Sequence, residues 1–213
     1  SYLIGDMVEI ASLAIEACPE ALTIADNDGI YPIHYACKWL WRESEIIAKL
    51  LEASPRSAFL RDEHGDLPFH RLWNLGDAQY NLFDSSCRGL NYVRLFETLK
   101  IVVEHNPRAL LMKDGNDHDS WTLFCYLHED AISWLEAHKS FTQLGIWMCR
   151  KRADVAGNPF LMLHDMARHA SHKSSYTDGT LERRFFSEAF ACLRDNADLL
   201  SLLPQVNTKE NDF

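Results

Sequence analysis

The sequence lacks the features that mark membrane-spanning, secreted or disulfide-linked proteins. No apolar run approaches the roughly 20 residues that a membrane-spanning helix needs. The N-terminus has neither a basic region nor a cleavage site of the kind found in signal peptides. The six cysteines form no Cys-x-x-Cys pair: Cys18, Cys37, Cys87, Cys125, Cys149 and Cys192. We therefore expect free thiols in an intracellular, cytoplasmic protein that makes no membrane contact.

Basic residues are also scarce. The chain has 21 Lys and Arg against 31 Asp and Glu, a formal net charge of −10. Binding to a nucleic-acid backbone needs clustered Lys and Arg, so this charge balance argues against a nucleic-acid partner. It fits a protein whose partners are neutral or basic.

Signatures of catalysis are missing as well. The sequence contains no Gly-x-Ser-x-Gly motif and no glycine-rich loop that could cradle a phosphate. Cys37, Cys125 and Cys192 lie in apolar helical contexts, which are typical of buried small hydrophobic residues. We expect a protein that is not an enzyme and that has no metal and no cofactor.

The length and composition support one sizeable core. The chain has 213 residues, of which 47% are hydrophobic. We predict a single domain over residues 1–203, followed by a disordered tail at 204–213. The chain does not begin with Met, and we expect it to be part of a longer protein.

One short motif occurs twice and organises the sequence. The first copy begins at Asp26 and the second at Asp62, and both read Asp-x-x-Gly-x-x-Pro-apolar-His. The offset is 62 − 26 = 36 residues, a period typical of stacked repeat proteins. Each copy follows an apolar-periodic helix and a Pro-marked break, at Pro19 and Pro55.

Each position of the motif has a physical reason. Gly29 and Gly65 can adopt positive φ in a tight turn, and the aspartate can bond backbone N–H groups just ahead of it. A proline suits the first turn of a helix, where its missing N–H is not needed. We expect His34 and His70 to bond a neighbouring repeat from inside that helix.

This motif resembles the ankyrin repeat, whose turn and first helix read Asp-x-x-Gly-x-Thr-Pro-Leu-His-x-Ala. Tyr31 and Leu67 replace the threonine of that family. The resemblance implies an all-α, ankyrin-like helical repeat solenoid of about four helix-turn-helix units with capping helices. A segment without clear periodicity near 76–91 predicts an inserted loop.

Two further copies are degenerate. In the third, which starts at Asp114, Asp119 stands where glycine is expected and 122–124 stands for Pro-apolar-His. The fourth has the Asp-x-x-Gly spacing at 154–157 and places His164 at the position of the motif histidine.

The periodicity of apolar residues predicts the helices. They cover about residues 6–17, 32–41, 44–53, 68–75, 92–105, 128–138, 140–150 and 180–194, with a loop at 173–179.

The family resemblance also implies a binding surface. Ankyrin repeats contact partner proteins through residues that flank the turn aspartate, follow the glycine, and follow the small residues of the first helix. The corresponding positions are Asn27, Asp28, Ile30, Lys38, Trp39, Glu63, His64, Asp66, Asn74, Leu75, His128, Glu129, Arg168 and His169. We therefore predict a monomeric interaction scaffold that binds another protein through the concave face formed by turns and first helices.

Three alternatives stay open. Trp39 could anchor a partner or pack against the predicted loop 76–91. The consecutive His164 and Asp165 resemble the metal-binding dipeptide of the HD phosphohydrolases, which would imply an all-α metal-dependent phosphohydrolase. The array could also be purely structural and pack against other parts of a longer chain.

Overall fold

The computed structural model describes residues 2–73, 88–124, 135–158, 160–171, 187 and 194. Within these ranges the chain is helical and has no β-strand, so the all-α prediction is confirmed. No helix in these ranges is both long and apolar enough to cross a lipid bilayer.

The helices alternate with short 3₁₀ segments. The α-helices are α1 (Tyr2–Ala17), α2 (Pro32–Trp39), α3 (Ser44–Ala53), α4 (Pro68–Arg71), α5 (Arg88–His105), α6 (Leu135–Ala156) and α7 (Phe160–Ser171). The 3₁₀ helices are Pro19–Thr23, Pro55–Phe59 and Pro107–Leu111. A further helical segment begins at Ser120 and is described through residue 124.

The observed bounds confirm some predictions and correct others. Helix α3 has the predicted bounds of 44–53. Residues 88–91, which we predicted as loop, belong to α5, because Gly and Asn cost little in a first turn when later turns supply the packing. The two helices predicted at 128–138 and 140–150 are one helix from Leu135 onwards, since no Pro or turn signal separates them.

Several predicted segments lie outside the described residues. They are most of the loop 76–91, the loop 173–179 and the tail 204–213. Of the predicted helix 180–194, only residues 187 and 194 are described, and both are helical.

The helices contact each other in two rows. In one row α1 packs on α3, α3 on α5, and α5 on α6. In the other row the short helix α2 packs on α4. Helix α2 also contacts α3, and α4 contacts α5, so the two rows pack against each other. Helices α1 and α3 of the first row are therefore each followed along the chain by a turn and by a helix of the second row.

The Pro-marked breaks have the same backbone geometry. The residues before the three prolines have φ between −150° and −140° and ψ between 73° and 81°. Each of these residues donates its N–H to a carbonyl four residues earlier, which ends the preceding helix. These residues are Cys18, Ser54 and Asn106. The fixed φ of proline then starts each 3₁₀ helix at the same angle.

The core lies between the two rows. Ile47 and Leu51 of α3 and Leu95 and Leu99 of α5 have no exposed surface. Fully burying such side chains stabilises a fold by about 1.5–3 kcal/mol each. The buried Thr98 also donates from Oγ1 to the Trp41 carbonyl at 2.7 Å, which connects α5 to the turn that follows α2.

Candidate functional site

Three turns share one hydrogen-bond pattern. In the first turn Asp26 Oδ1 accepts from the N–H groups of Asp28 and Ile30, at 3.0 and 2.9 Å. The same bonds join Asp62 to His64 and Asp66, both at 3.0 Å, and Asp114 to Asn116 and His118, at 2.9 and 2.8 Å. The aspartate of each turn also donates its own N–H to the carbonyl four residues on, at 2.9 to 3.0 Å. A carboxylate that accepts two N–H groups stiffens the turn around it.

Each turn has one residue with positive φ, three positions after the aspartate. Gly29 and Gly65 have φ of 66° and 80°, as the glycine positions predict. In the third turn this residue is Asp117, with φ of 68°, and not Asp119. The prediction for Asp119 is therefore wrong. Aspartate tolerates the left-handed region better than most residues, which explains why the third turn keeps the pattern without glycine.

The histidines of the first two copies connect neighbouring turns. His34 Nε2 donates to the Asp66 carbonyl at 3.0 Å, and His70 Nε2 donates to the Met112 carbonyl at 3.3 Å. His70 Nδ1 accepts from the Leu67 N–H at 3.1 Å, which sets its tautomer. Both side chains are buried, and burial lowers the pKa of each below its ordinary value of 6.5. The neutral ring is therefore the form that holds each turn to the next.

The second turn carries a buried ionic cluster. Arg71 lies 2.6 and 2.5 Å from Asp62 Oδ2 through Nε and Nη2, and 3.4 Å from Asp66 Oδ2 through Nε. Asp66 Oδ1 also accepts the N–H of Gly115 in the third turn at 2.9 Å. Asp66 is only 4% exposed, so its prediction as a surface contact residue is wrong. Its carboxylate is used inside the protein, where it joins two turns.

The second-row segment of the third copy starts two residues earlier than predicted. Its helix begins at Ser120, six residues after Asp114, as Pro32 and Pro68 follow their aspartates. Trp121 is fully buried, as the apolar residues of the first two copies are, and Thr122 replaces the histidine. The assignment of 122–124 to the Pro-apolar-His positions is therefore wrong.

Asp119 caps this segment instead of forming the turn. Its Oδ1 accepts from the Thr122 N–H and hydroxyl at 2.8 and 2.7 Å, and its Oδ2 accepts from Arg168 at 2.8 Å. Burial raises the pKa of Asp119, but these hydrogen bonds and the Arg152 charge outweigh that effect and lower the pKa to about 2.

The fourth copy differs in kind. Gly157, with φ of 60°, ends helix α6: its N–H bonds the Asp154 carbonyl at 3.1 Å, and the Asn158 N–H bonds the Ala153 carbonyl at 3.0 Å. This pair of bonds is a Schellman motif. The Asp-x-x-Gly spacing at 154–157 therefore marks a helix end and not a turn like the other three.

His164 and Asp165 face different surroundings. The His164 side chain is 63% exposed, unlike His34 and His70, so its prediction as the equivalent motif histidine is wrong. Asp165 is fully buried and bonds Arg152 Nε and Nη2 at 2.7 and 3.4 Å. Burial raises the pKa of Asp165, against the opposing effect of Arg152. Arg152 also donates to the hydroxyl of Ser120 at 2.7 Å, and the cluster joins α6 and α7 to the third copy.

This arrangement leaves little room for metal ligation. Both carboxylate oxygens of Asp165 are directed to Arg152, and His164 Nδ1 stays 3.7 Å from Asp165 Oδ1. Within the described ranges no group of three His, Cys, Asp or Glu side chains is placed to hold a metal ion.

Apart from the buried Asp66, the predicted contact residues divide into three groups. Those with exposed side chains are Asn27, Asp28, Trp39, Glu63 and His64, and those half-buried are Ile30, Lys38 and Arg168. Arg168 is engaged by Asp119 and by Thr122 Oγ1, each at 2.8 Å. The side chains of Asn74, Leu75, His128, Glu129 and His169 lie outside the described part of the chain. The first two turns therefore present most of the described candidate surface.

Trp39 is 55% exposed and borders an apolar groove between α1 and α2. The Lys38 ammonium lies 5.0 Å from its ring centroid, at cation–π distance. The sequence reasoning missed Tyr35, which borders the same groove and is 41% exposed. The spacing of Tyr35 and Trp39, four residues apart on one helix, is the signal that would have paired them.

No protein-family model matches the chain, and neither a curated protein nor a solved structure matches it. Function is therefore inferred from the geometry of the chain itself.

Proposed function

We propose that the chain is an ankyrin-like helical repeat module that binds another protein through its turns and second-row helices. It would do so as an intracellular monomer and without catalysing a reaction. The proposed contact residues are Asn27, Asp28, Ile30, Lys38, Trp39, Glu63 and His64, with the undescribed candidates of the second and later copies beside them.

One observation carries this proposal: consecutive turns bond each other directly. His34 bonds the second turn at Asp66, and Asp66 bonds the third turn at Gly115. Turns held in this way present their side chains in a constant register and lose little conformational entropy when a partner binds. Contact of each unit with the next one along the chain is also typical of repeat proteins.

The exposed side chains of the turns suit protein recognition. Glu63 and His64 are about half exposed and stand next to the buried cluster that holds their backbone. Trp39 provides an exposed aromatic side chain at the C-terminal end of α2, and exposed aromatics with a polar rim are typical of binding hot spots.

The phosphohydrolase alternative has less support. It needs Asp165 as a metal ligand, but that carboxylate is buried against Arg152. Metal analysis of the purified chain tests it: a stoichiometric transition metal that disappears in His164→Ala, together with a hydrolytic activity, would support the enzyme instead.

The binding proposal can be tested with immobilised protein and a cell extract. The comparison uses wild type, Trp39→Ala and the double variant Glu63→Ala/His64→Ala. We expect proteins that wild type captures to be lost from both variants. The matched control is Glu52→Ala/Glu104→Ala, which changes two exposed carboxylates on the first-row helices α3 and α5.

Circular dichroism of each variant shows whether the helices persist. If the turn variants and the control recover the same proteins as wild type, the turns are not the binding surface. If Trp39→Ala leaves captured proteins unchanged but lowers the free energy of unfolding, the purely structural role of the array is favoured.

A further inference from the structure

An open apolar groove of about 570 Å³ lies along one end of the two helix rows. Helix α1, the 3₁₀ helix Pro19–Thr23 and helix α2 form its sides, and the buried Leu22, Ala36 and Ile46 lie at its base. None of the described residues that line it carries a charge. Two of the three α1 residues that line it are alanines, Ala11 and Ala14, which allow close approach of another backbone.

The packing of α2 on its neighbours indicates what kind of element fits such a groove. Helix α2 itself packs against both α3 and α4, and its Ile33 and Cys37 are buried. Helices α1 and α2 hold the same places in their rows, one step earlier, as α3 and α4. The groove between α1 and α2 therefore corresponds to the surface of α3 and α4 on which α2 packs. That surface accepts a helix of 8 residues, about 12 Å long, with one apolar face.

The groove has opposite charges at its two ends. Glu20 Oε2 lies 3.7 Å from the sulfur of Cys18, a lining residue, and Asp26 Oδ2 accepts from the hydroxyl of Tyr35, another lining residue, at 2.8 Å. Both carboxylates belong to segments that precede the N-terminus of α2. Lys38 lies beside Trp39 at the C-terminal end.

The N-terminal part of the sequence that forms the groove is acidic overall. Residues 1–37 contain six carboxylates and no Lys or Arg. A helix parallel to α2 would place its positive N-terminal end at the carboxylates and its negative end at Lys38, which favours that orientation over the reverse.

We propose that this groove binds an amphipathic helix of a partner protein, parallel to α2, with Lys or Arg in its first turns. The inference rests on the proposed protein-binding function and names a partner chemistry for it. It uses the end of the rows, however, and shares only Lys38 and Trp39 with the turn surface. Failure at one surface therefore leaves the other to be judged by its own variants.

A synthetic helix serves as the probe. A fluorescent peptide of about 14 residues would carry leucines on one face, lysines in its first two turns and neutral polar residues elsewhere. Its control replaces the lysines with glutamates. Fluorescence anisotropy against the full 213-residue chain is expected to show saturable binding at least tenfold tighter for the lysine peptide, and weaker binding as salt is added.

Two variants, each with one alanine of α1 replaced by lysine, test whether the peptide binds in the groove. Ala14 lines the groove, whereas Ala17 is exposed on the same helix and does not. Ala14→Lys is expected to reduce the affinity for the lysine peptide at least tenfold, and Ala17→Lys to leave it within about twofold. Both changes keep a good helix former on an exposed position, and circular dichroism checks the fold.

The remaining outcomes are also informative. Equal affinity for the lysine and glutamate peptides, or an unchanged affinity in Ala14→Lys, overturns the proposal. A concentration-dependent dimer of the chain that Ala14→Lys dissociates overturns it as well, because a second copy then fills the groove. Glu63→Ala/His64→Ala should not alter peptide binding, so loss of extract partners in that variant reports on the turn surface alone.

Discussion

Two histidines at equivalent positions act as cross-links between backbone turns. His34 and His70 are each 1% exposed, and each donates to a carbonyl of the following turn. A buried hydrogen bond of this kind contributes about 0.5–1.5 kcal/mol net. These two bonds therefore help to fix the position of each copy relative to the next.

The first prediction concerns this bond directly. His34→Ala should lower the free energy of unfolding by about 1–3 kcal/mol, because the Asp66 carbonyl keeps only the Asp62 N–H as a donor and the lost ring leaves a buried cavity. Urea unfolding followed by circular dichroism measures the change. The exposed His64→Ala is the control and should stay within about 0.5 kcal/mol of wild type. Equal effects of the two substitutions would contradict a linking role for His34.

The second prediction concerns pH. Burial lowers the pKa of His34 and His70 below 6.5, so the unfolded chain binds protons at these sites before the folded chain does. Their stabilising contribution is complete above pH 6.5 and is lost as the pH falls towards the lowered values. Urea unfolding at about pH 7.5 and about pH 5.5 should show lower stability at the acidic value.

The matched variants separate these histidines from the others. His34→Gln/His70→Gln should show a smaller loss on acidification than wild type, and His64→Gln should behave as wild type. An unchanged loss in the double variant would assign the pH dependence to other groups.

Asp66 illustrates what the sequence could and could not predict for a single residue. The motif predicted the turn, the glycine φ and the histidine bond to a neighbouring repeat. It could not predict that Asp66 is buried, because Ile30 and His118 occupy the same position in the other turns and are half-buried. Burial here depends on Arg71 and on Gly115, which is 49 residues away in sequence.

At the level of elements, the turns tolerate the loss of glycine as long as the left-handed residue can be accommodated. Asp117 fills this position in the third turn with φ of 68°. The turn keeps the bonds from Asp114 to Asn116 and His118 that the first two turns have. The spacing of three from the aspartate would have identified Asp117 without a structure.

The third prediction tests this conformation. Asp117→Val should lower the free energy of unfolding by about 1–2 kcal/mol, because a β-branched side chain is disfavoured at positive φ. Asn116→Val is the neighbouring control, has no positive φ and should change stability by less than about 0.5 kcal/mol. Thermal unfolding of both variants measures the difference, and similar losses would argue against backbone strain at residue 117.

The fourth prediction concerns the junction of α6 and α7. Arg152→Met leaves the fully buried Asp165 without its partner and should cost about 3–5 kcal/mol. Arg152→Met/Asp165→Leu should recover part of this loss, because no uncompensated charge remains. Lys151→Ala, on the exposed side of the same helix, is the control. A double variant as unstable as Arg152→Met would show that packing and not charge dominates.

Arg152 and Gly157 show why the sequence does not predict the structure of the fourth copy correctly. Residues 150–152 are an Arg-Lys-Arg run, and such a run near a helix end usually lies in solvent, yet Arg152 is only 4% exposed. Glycine with positive φ serves both the Asp-Gly turn and the end of a helix. The two uses share residue types, so only the backbone bonds of Gly157 and Asn158 distinguish them.

At the level of the whole molecule, the helices of the first row differ in how much of their surface is covered by neighbouring helices. Helix α3 has neighbours on both sides, since it contacts α1, α2 and α5. Helix α1 contacts α3 and the 3₁₀ helix Pro19–Thr23, and its other side faces the open groove. Residues such as Ile10, 65% exposed, reflect this one-sided packing.

The fifth prediction follows from that difference. In hydrogen exchange followed by mass spectrometry, amides of α1 should exchange at least tenfold faster than those of α3, because opening α1 breaks fewer buried contacts. The lysine peptide should slow exchange in α1 and α2 and leave α6 unchanged. Equal protection of α1 and α3 in the free chain would show that the end is already covered.

The direct bonds between the second and third turns have one more consequence. His70 to Met112 and Asp66 to Gly115 hold these turns together across the join between Trp73 and Arg88. Direct non-covalent contacts thus fix the position of the second turn relative to the third. Such a design is compatible with expression as two separate fragments that reassemble, and with wide variation in the size of that connection over the course of evolution.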